Sequence, residues 1–295
     1  MTPQNLWPLG AELGEGPVWI PEQNRLYFVN LVGNTLHALD AGTGADGTRH
    51  AWPLPDHVCW LVPRKDGDGF MAGLRDGIVR LWLEEDGSHR FEYLHALPGA
   101  DTGIRLNDAK ADAAGRIWAG SMNARDVSRP DGKLFRLDPD GSLHVALPEH
   151  HICNGPTFSL DGGTMYHNDS FLNRTYAYEV KADGSLGAPH LWRQFGDGEG
   201  SPDGMTVDSE DCVWIAQWGG GRVCRYSPGG ELLATIRVPV AQPSSVAFGG
   251  ADLKTLYITS AWQGFDAAQR AADPLAGALF SVQAGVAGVP AARFG

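Results

Sequence analysis

Glu15, Asn107, Asn154 and Asp203 carry hard oxygen donors and recur at one register of a repeated pattern along the chain. Two carboxylates and two amides meeting at one point would suit a hard divalent cation, with water completing its shell. Without a cation the two carboxylates would repel, and burying them unpaired is costly. The competing explanation is local: each acid or amide would cap a turn at the start of its own repeat. One cap is an ordinary event, whereas four at matched register favour a shared site.

The register comes from six similar apolar stretches: RLYFVN from 25, GFMAGL from 69, RIWAGS from 116, TMYHND from 164, CVWIAQ from 212 and TLYITS from 255. They recur every 43 to 48 residues. Ten or eleven residues before the second position of each lie Glu15, Cys59, Asn107, Asn154, Asp203 and Ser245. Repeats of forty-odd residues with short alternating strands indicate propeller blades. The expected fold is therefore an all-β, six-bladed propeller occupying residues 1–295 as one domain. Its blades would turn at PEQN (21–24), KDGDG (65–69), DAAG (112–115), SLDGG (159–163) and DSED (208–211). A second set of turns falls at DAGTG (40–44), EEDGS (84–88), DPDGS (138–142), KADGS (181–185) and SPGG (227–230). In a propeller the first strand of each blade lines the central channel, so the four oxygen-bearing residues would converge there.

Composition agrees: 39 Gly, 19 Pro and 10 Trp in 295 residues fit many short strands and tight turns. A net charge of −12 argues against nucleic acid and against an anionic membrane surface as partners. No apolar run approaches the roughly twenty residues that span a bilayer. The first residues show neither a basic nor an apolar leader segment, and the four cysteines have no CxxC spacing. Reduced, partly buried thiols in a cytoplasm are the expectation, with a structural disulfide as the alternative. Helix is expected only at 265–272, in an insertion of the last repeat. A second long loop, NARDVSRPDG at 123–132, would act as a lid or merely cover a sheet edge. The ten histidines lack HExxH, and His150-His151 reads as a solvated turn. GxSxG is absent, and GGGRV at 219–223 precedes no helix, so neither an α/β serine hydrolase nor a phosphate loop is indicated.

Five blocks in order, LGEGPVW (13–19), RLNDAKADAAGRIWAGSM (105–122), NGPTFSLDGGTMYHNDS (154–170), SPDGMTVDSEDCVWIAQWGGGRV (201–223) and FGGADLKTLYITSA (248–261), resemble the SMP-30/gluconolactonase/LRE-like family. The resemblance implies a six-bladed propeller with a divalent cation in its channel and, among characterised members, mostly sugar lactonase activity. By position it implies that Glu15, Asn154 and Asp203 hold the metal, with Asn107 beside it as a further ligand or substrate contact. Arg105, Asn107 and Asp108 match the family's substrate-binding region. The wording WGGG, FGGADLKTLY and PLAGALF is most similar to bacterial aldonolactonases, xylonolactonases included. Two departures bear on ring size and sugar: the 123–132 loop lacks a secure acidic substrate contact, and Asn30 stands where many relatives have Asp.

The implied reaction is hydrolysis of an aldonolactone, with the cation polarising the carbonyl and Asp203 as general base. A carboxylate neutralised by a cation is a poor base, so Glu15 could exchange roles with Asp203. The cation could be Ca, Mn, Mg, Zn or Fe(II). For Arg105 the alternative is a surface ion pair with Asp101 or Asp108. Trp60, Phe171 and Trp218 could pack on the sugar or belong to the core, and His57 and His167 could donate hydrogen bonds at the rim. A phosphotriester or aryl-ester hydrolase, and a non-catalytic binding propeller with a structural cation, are the competing functions.

Overall fold

Inner and middle strands are almost continuously buried while outermost strands alternate toward solvent, as expected for sheets that pack face to face in a ring. The computed structural model describes residues 2–41 and 47–295. It contains six four-stranded antiparallel sheets, each running outward from an inner strand. The inner strands are Gly14–Ile20, Val58–Pro63, Ile104–Ala111, Cys153–Phe158, Ser201–Val207 and Pro243–Gly249. Each touches the next, and the sixth touches the first, so the ring closes. The expected six-bladed propeller is thereby realised.

Closure is made by the N-terminal strand, Gln4–Trp7, which pairs antiparallel with Leu279–Gln283 as the outermost strand of the last blade. Leu6 is buried against Trp19, Phe28 and Leu279, and Trp7 packs edge-on to Phe28 at 5.7 Å. The first and last segments are thus locked together, and Leu279–Gln283 is paired on both sides.

Aspartates make the turns. Asp112 and Asp208, both buried, end inner strands and accept hydrogen bonds from backbone N–H groups two and four residues on. Their second oxygens accept from Trp118 and Trp214 at 2.8 and 2.7 Å, and from Arg116 and Arg225. One carboxylate therefore fixes a turn, a core indole and a guanidinium together. Exposed turns use the shorter device in which Asp86, Asp140 and Asp183 accept from the N–H two residues on. Of the expected turns, DAGTG at 40–44 falls largely outside the described residues. The expected helix is present as Ala267–Ala272, capped reciprocally by Asp266 and Gln269.

Each inner strand also carries a β-bulge, one extra residue relative to its partner, at or next to the repeated register: Glu15/Val18, Val58/Trp60, Leu106/Ala109, Asn154/Thr157, Pro202/Met205 and Pro243/Val246. A bulge bends the strand and re-aims the side chains on either side of it. Gly16 and Gly155 adopt left-handed backbone (φ +52° and +75°) inside two of these bulges. Six bulges at one level of the ring reorganise the channel at that level.

Leu6→Ala should destabilise the protein by roughly 2–4 kcal/mol, because the closing strand loses its buried anchor. Leu232→Ala, on an exposed outermost strand, should be close to neutral. Equal shifts of the thermal midpoint for the two variants would contradict ring closure by the N-terminal strand.

Candidate active site in the channel

At the bulge level, Glu15, Arg105, Asn107, Asn154 and Asp203 from four inner strands line one cavity of about 370 Å³. Leu13, Met122, Ile152, Phe171 and Trp218 supply its apolar wall. Val127 of the third-blade loop and Gln263 of the last-blade insertion reach it as well, so both long loops contribute to the rim.

The amides are held by a chain of hydrogen bonds with a fixed direction. Arg105 Nη1 donates to Asn107 Oδ1 at 2.7 Å. Asn107 Nδ2 donates to Asn154 Oδ1 at 2.6 Å, and Asn154 Nδ2 to Ser170 Oγ at 2.9 Å. The Ser170 hydroxyl then donates to the Pro202 carbonyl at 2.6 Å. A guanidinium only donates and a carbonyl only accepts, so neither amide can be flipped without breaking the chain at one end. Asn154 therefore presents its carbonyl oxygen, with a second lone pair, on the Asn107 side. Asn168 Nδ2 donates to the Asp203 carbonyl at 2.7 Å and is itself oriented by Thr175. Ser170 and Asn168 thus pin the peptide carbonyls on either side of the Asp203 Cα. Neither stands out by spacing; both lie in the TMYHNDS block, Asn168 within the buried strand and Ser170 just after it, where polarity among buried neighbours is the available signal.

Glu15 and Asp203 are 9% and 5% exposed, and Asp203 Oδ1 has no hydrogen-bond partner. Burial first, then the charges of Asp203 and Asp108, hold the Glu15 carboxyl well above the usual range. Burial and Asp108 do the same for Asp203. Arg105 is 8% exposed and forms no ion pair with Asp101 or Asp108; its other backbone contact is the Leu106 carbonyl at 2.8 Å. Burial lowers its pKa, while Cys59, Glu15 and Asp203 favour its charged form. An all-oxygen donor set with surplus buried negative charge, one oxygen unpartnered, fits a hard divalent cation at Glu15, Asn154 and Asp203.

Several expected contacts lie elsewhere. Asp108 is not brought to this cavity: beyond the bulge it faces a second cavity of about 290 Å³, with Lys110 and Trp60. There its Oδ1 accepts from Ala109 N, and burial pushes the carboxyl up to about 6 against the opposing influence of Lys110. Trp60 is fully buried on that side, whereas Phe171 and Trp218 do line the first cavity. His57 does not line it, and His167 is fully buried rather than at the rim. His150, expected in a solvated turn, is buried beside His167. His151 is partly exposed, stacks on Phe171 at 4.9 Å and bonds Asp169 through Nδ1 at 2.9 Å. All four cysteines are buried and unpaired.

A closed propeller whose bulged inner strands carry an acid–amide–arginine cluster defines a class of channel-site proteins. The profile of the SMP-30/Gluconolactonase/LRE-like region matches residues 13–262, and the chain belongs to this family. It is 38% identical to a 6-deoxy-6-sulfogluconolactonase of Pseudomonas putida over 278 residues, covering 94% of this chain and 92% of that one. It is 34% identical to a pentonolactonase of Haloferax volcanii, covering 99% and 98%. The crystal structure of a calcium-binding protein, regucalcin, from Agrobacterium tumefaciens superposes with a TM-score of 0.90 at 26% identity, covering 99% and 96%.

The raised carboxylates give a pH signature. Folding takes up protons wherever the folded pKa lies above the unfolded one, so the cation-free chain loses stability as pH rises through that window. In chelator, the thermal midpoint should fall as pH is raised from the ordinary carboxylate range toward neutrality. The fall should be shallower in Glu15→Gln, and an identical slope in that variant would exclude Glu15 as its source.

Proposed function

We propose that the chain hydrolyses the ring ester of a five- or six-carbon aldonolactone in the 370 Å³ cavity, giving the open aldonic acid. The observation that carries this reading is the convergence of Glu15, Arg105, Asn107, Asn154 and Asp203 in one pocket beside Phe171 and Trp218. The family and the two lactonase relatives support it. Glu15, Asn154 and Asp203 would hold one divalent cation, which when bound supplies Lewis-acid polarisation of the lactone carbonyl. The oxygen-only donor set is compatible with Ca, Mn, Mg, Zn or Fe(II).

Asp203 takes the proton from the attacking water on the carboxylate oxygen not given to the cation. Its backbone, held by Asn168 and Ser170, cannot drift from the cavity wall. Arg105 keeps guanidinium donors beyond those committed to Leu106 and Asn107 and directs them at the developing oxyanion or a sugar hydroxyl. Because Arg105 also orients Asn107, substrate binding and amide orientation are linked through one side chain. When the ring C–O bond breaks, the leaving oxygen takes the proton back from Asp203 and becomes a hydroxyl of the acid. Phe171 and Trp218 offer apolar faces for the sugar's C–H groups, while Val127 and Gln263 narrow the mouth. The four unpaired buried thiols support a reducing compartment, the cytoplasm, as the setting. No helix among the described residues is long and apolar enough to cross a membrane.

A pH-stat assay should show cation-dependent acid release from pentono- and hexonolactones and loss of activity in chelator. At saturating cation, Asp203→Asn should lower kcat by about two to four orders of magnitude, since the base is removed while an oxygen ligand is kept. Asn154→Ala should instead recover part of its rate as cation is raised. A cation-saturated Asp203→Asn protein with near-native kcat would move the base to Glu15. Turnover of paraoxon-like triesters with every sugar lactone at background would defeat the lactonase reading.

The amide chain gives a separate expectation. Ser170→Ala should release Asn154 from its fixed orientation, weakening cation affinity more than it lowers kcat at saturation. An unchanged affinity would show that the chain does not set the donor geometry.

A further inference from the structure

Behind the channel wall, at the seam between the third and fourth blades, His150, Cys153 and His167 bring their donor atoms within 4.8 Å of one another. His150 ends the outermost strand of the third blade, Leu143–His150. Cys153 opens the inner strand of the fourth, and His167 lies on its neighbour, Thr164–Asp169. Cys153 and His167 are fully buried and His150 is 8% exposed. The two imidazole rings stand 4.9 Å apart at 58°. His150 Nδ1 and both nitrogens of His167 are buried with no hydrogen-bond partner. A neutral imidazole carries one N–H and one lone pair, so His167 leaves a donor and an acceptor unmatched, each having lost its hydration without compensation. Buried polar groups in folded proteins are paired with protein, water or an ion.

The seam is also shaped around the sulfur. Gly120 of the third blade lies against Cys153, and a Cβ there would come within 2.4 Å of the Cys153 Cβ. Any side chain at position 120 would push the two blades apart and open the cluster.

We propose that His150, Cys153 and His167 form a zinc site that fastens the third blade to the fourth. Two imidazoles and a thiolate are a borderline-soft set, suited to zinc and poorly suited to calcium or magnesium. The oxygen set in the channel accommodates hard cations, calcium and magnesium among them, and offers no sulfur. Successive residues of a strand point to opposite faces, so Cys153 turns into the seam while its neighbour Asn154 turns into the channel. The two sites are therefore adjacent in sequence and separate in space. On zinc binding the Cys153 S–H bond is broken, the proton goes to solvent, and the sulfur becomes a ligand as thiolate. The fourth coordination position falls to a group outside this triad.

The test uses the full chain, stripped with chelator and reloaded with cobalt(II) as a spectroscopic stand-in for zinc. The native protein should develop a thiolate-to-cobalt charge-transfer band in the near ultraviolet, which an all-oxygen channel site cannot produce. Zinc added afterwards should abolish the band. Glu15→Gln, which weakens the channel site, should keep the band, while Cys153→Ala and His167→Gln should each lose it together with one equivalent of retained zinc. Absence of the band in native protein at saturating cobalt would overturn the proposal, and that reading needs no variant to fold. Unchanged zinc retention in folded Cys153→Ala would overturn it equally. Lactonase activity does not enter these readouts, so failure here and failure of the proposed function are distinguishable.

Discussion

Two buried carboxylates that cannot move apart are the constraint on which the channel depends. Glu15 and Asp203 sit on inner strands of different blades, and the ring holding those strands is closed by the N-terminal strand. Relaxation by separation would require opening a blade. Arg105 is the cation among the groups of this cavity, and one of its nitrogens is committed to the Leu106 carbonyl and the Asn107 amide. Asp203 Oδ1 stays without a partner. The fold thus holds a site whose electrostatics are unfavourable on their own and become favourable when a hard cation enters. Burial and charge repulsion raise the carboxyl pKa values, and a cation held between the two carboxylates would relieve that repulsion in the proton's place.

The bulges and the hydrogen-bond chain turn this constraint into a usable geometry. A regular inner strand would alternate its side chains between the two sheet faces. The extra residue in each strand re-aims them along the channel, so Asn107 belongs to one cavity and Asp108 to the other. The chain from Arg105 to the Pro202 carbonyl then fixes which end of each amide faces which neighbour. Site precision comes from Asn168 of the second strand and Ser170 of the turn after it as much as from the side chains that face the cavity.

Much of this architecture was legible in the sequence because propeller repeats are local. Each blade carries its own turn aspartates and alternating strands, so the period survives without knowledge of the other blades. The residues proposed to hold the cation share a register and so stand out in the sequence. What was not legible depends on contacts between blades or on backbone irregularity. The closing role of Gln4–Trp7 follows from pairing with a strand some 270 residues away. The placement of Asp108 and Trp60 on the far side follows from bulges, which leave no period in the sequence. His150 reads as exposed within a doublet, and only the neighbouring blade, bringing His167 against it, buries it.

The central claim is that the channel assembles one hard-cation site from three blades. Anomalous diffraction from crystals soaked in manganese(II) tests it most directly. The account predicts a peak bounded by the side-chain oxygens of Glu15, Asn154 and Asp203. A saturating soak with no peak there, and those three side chains unmoved, would contradict it.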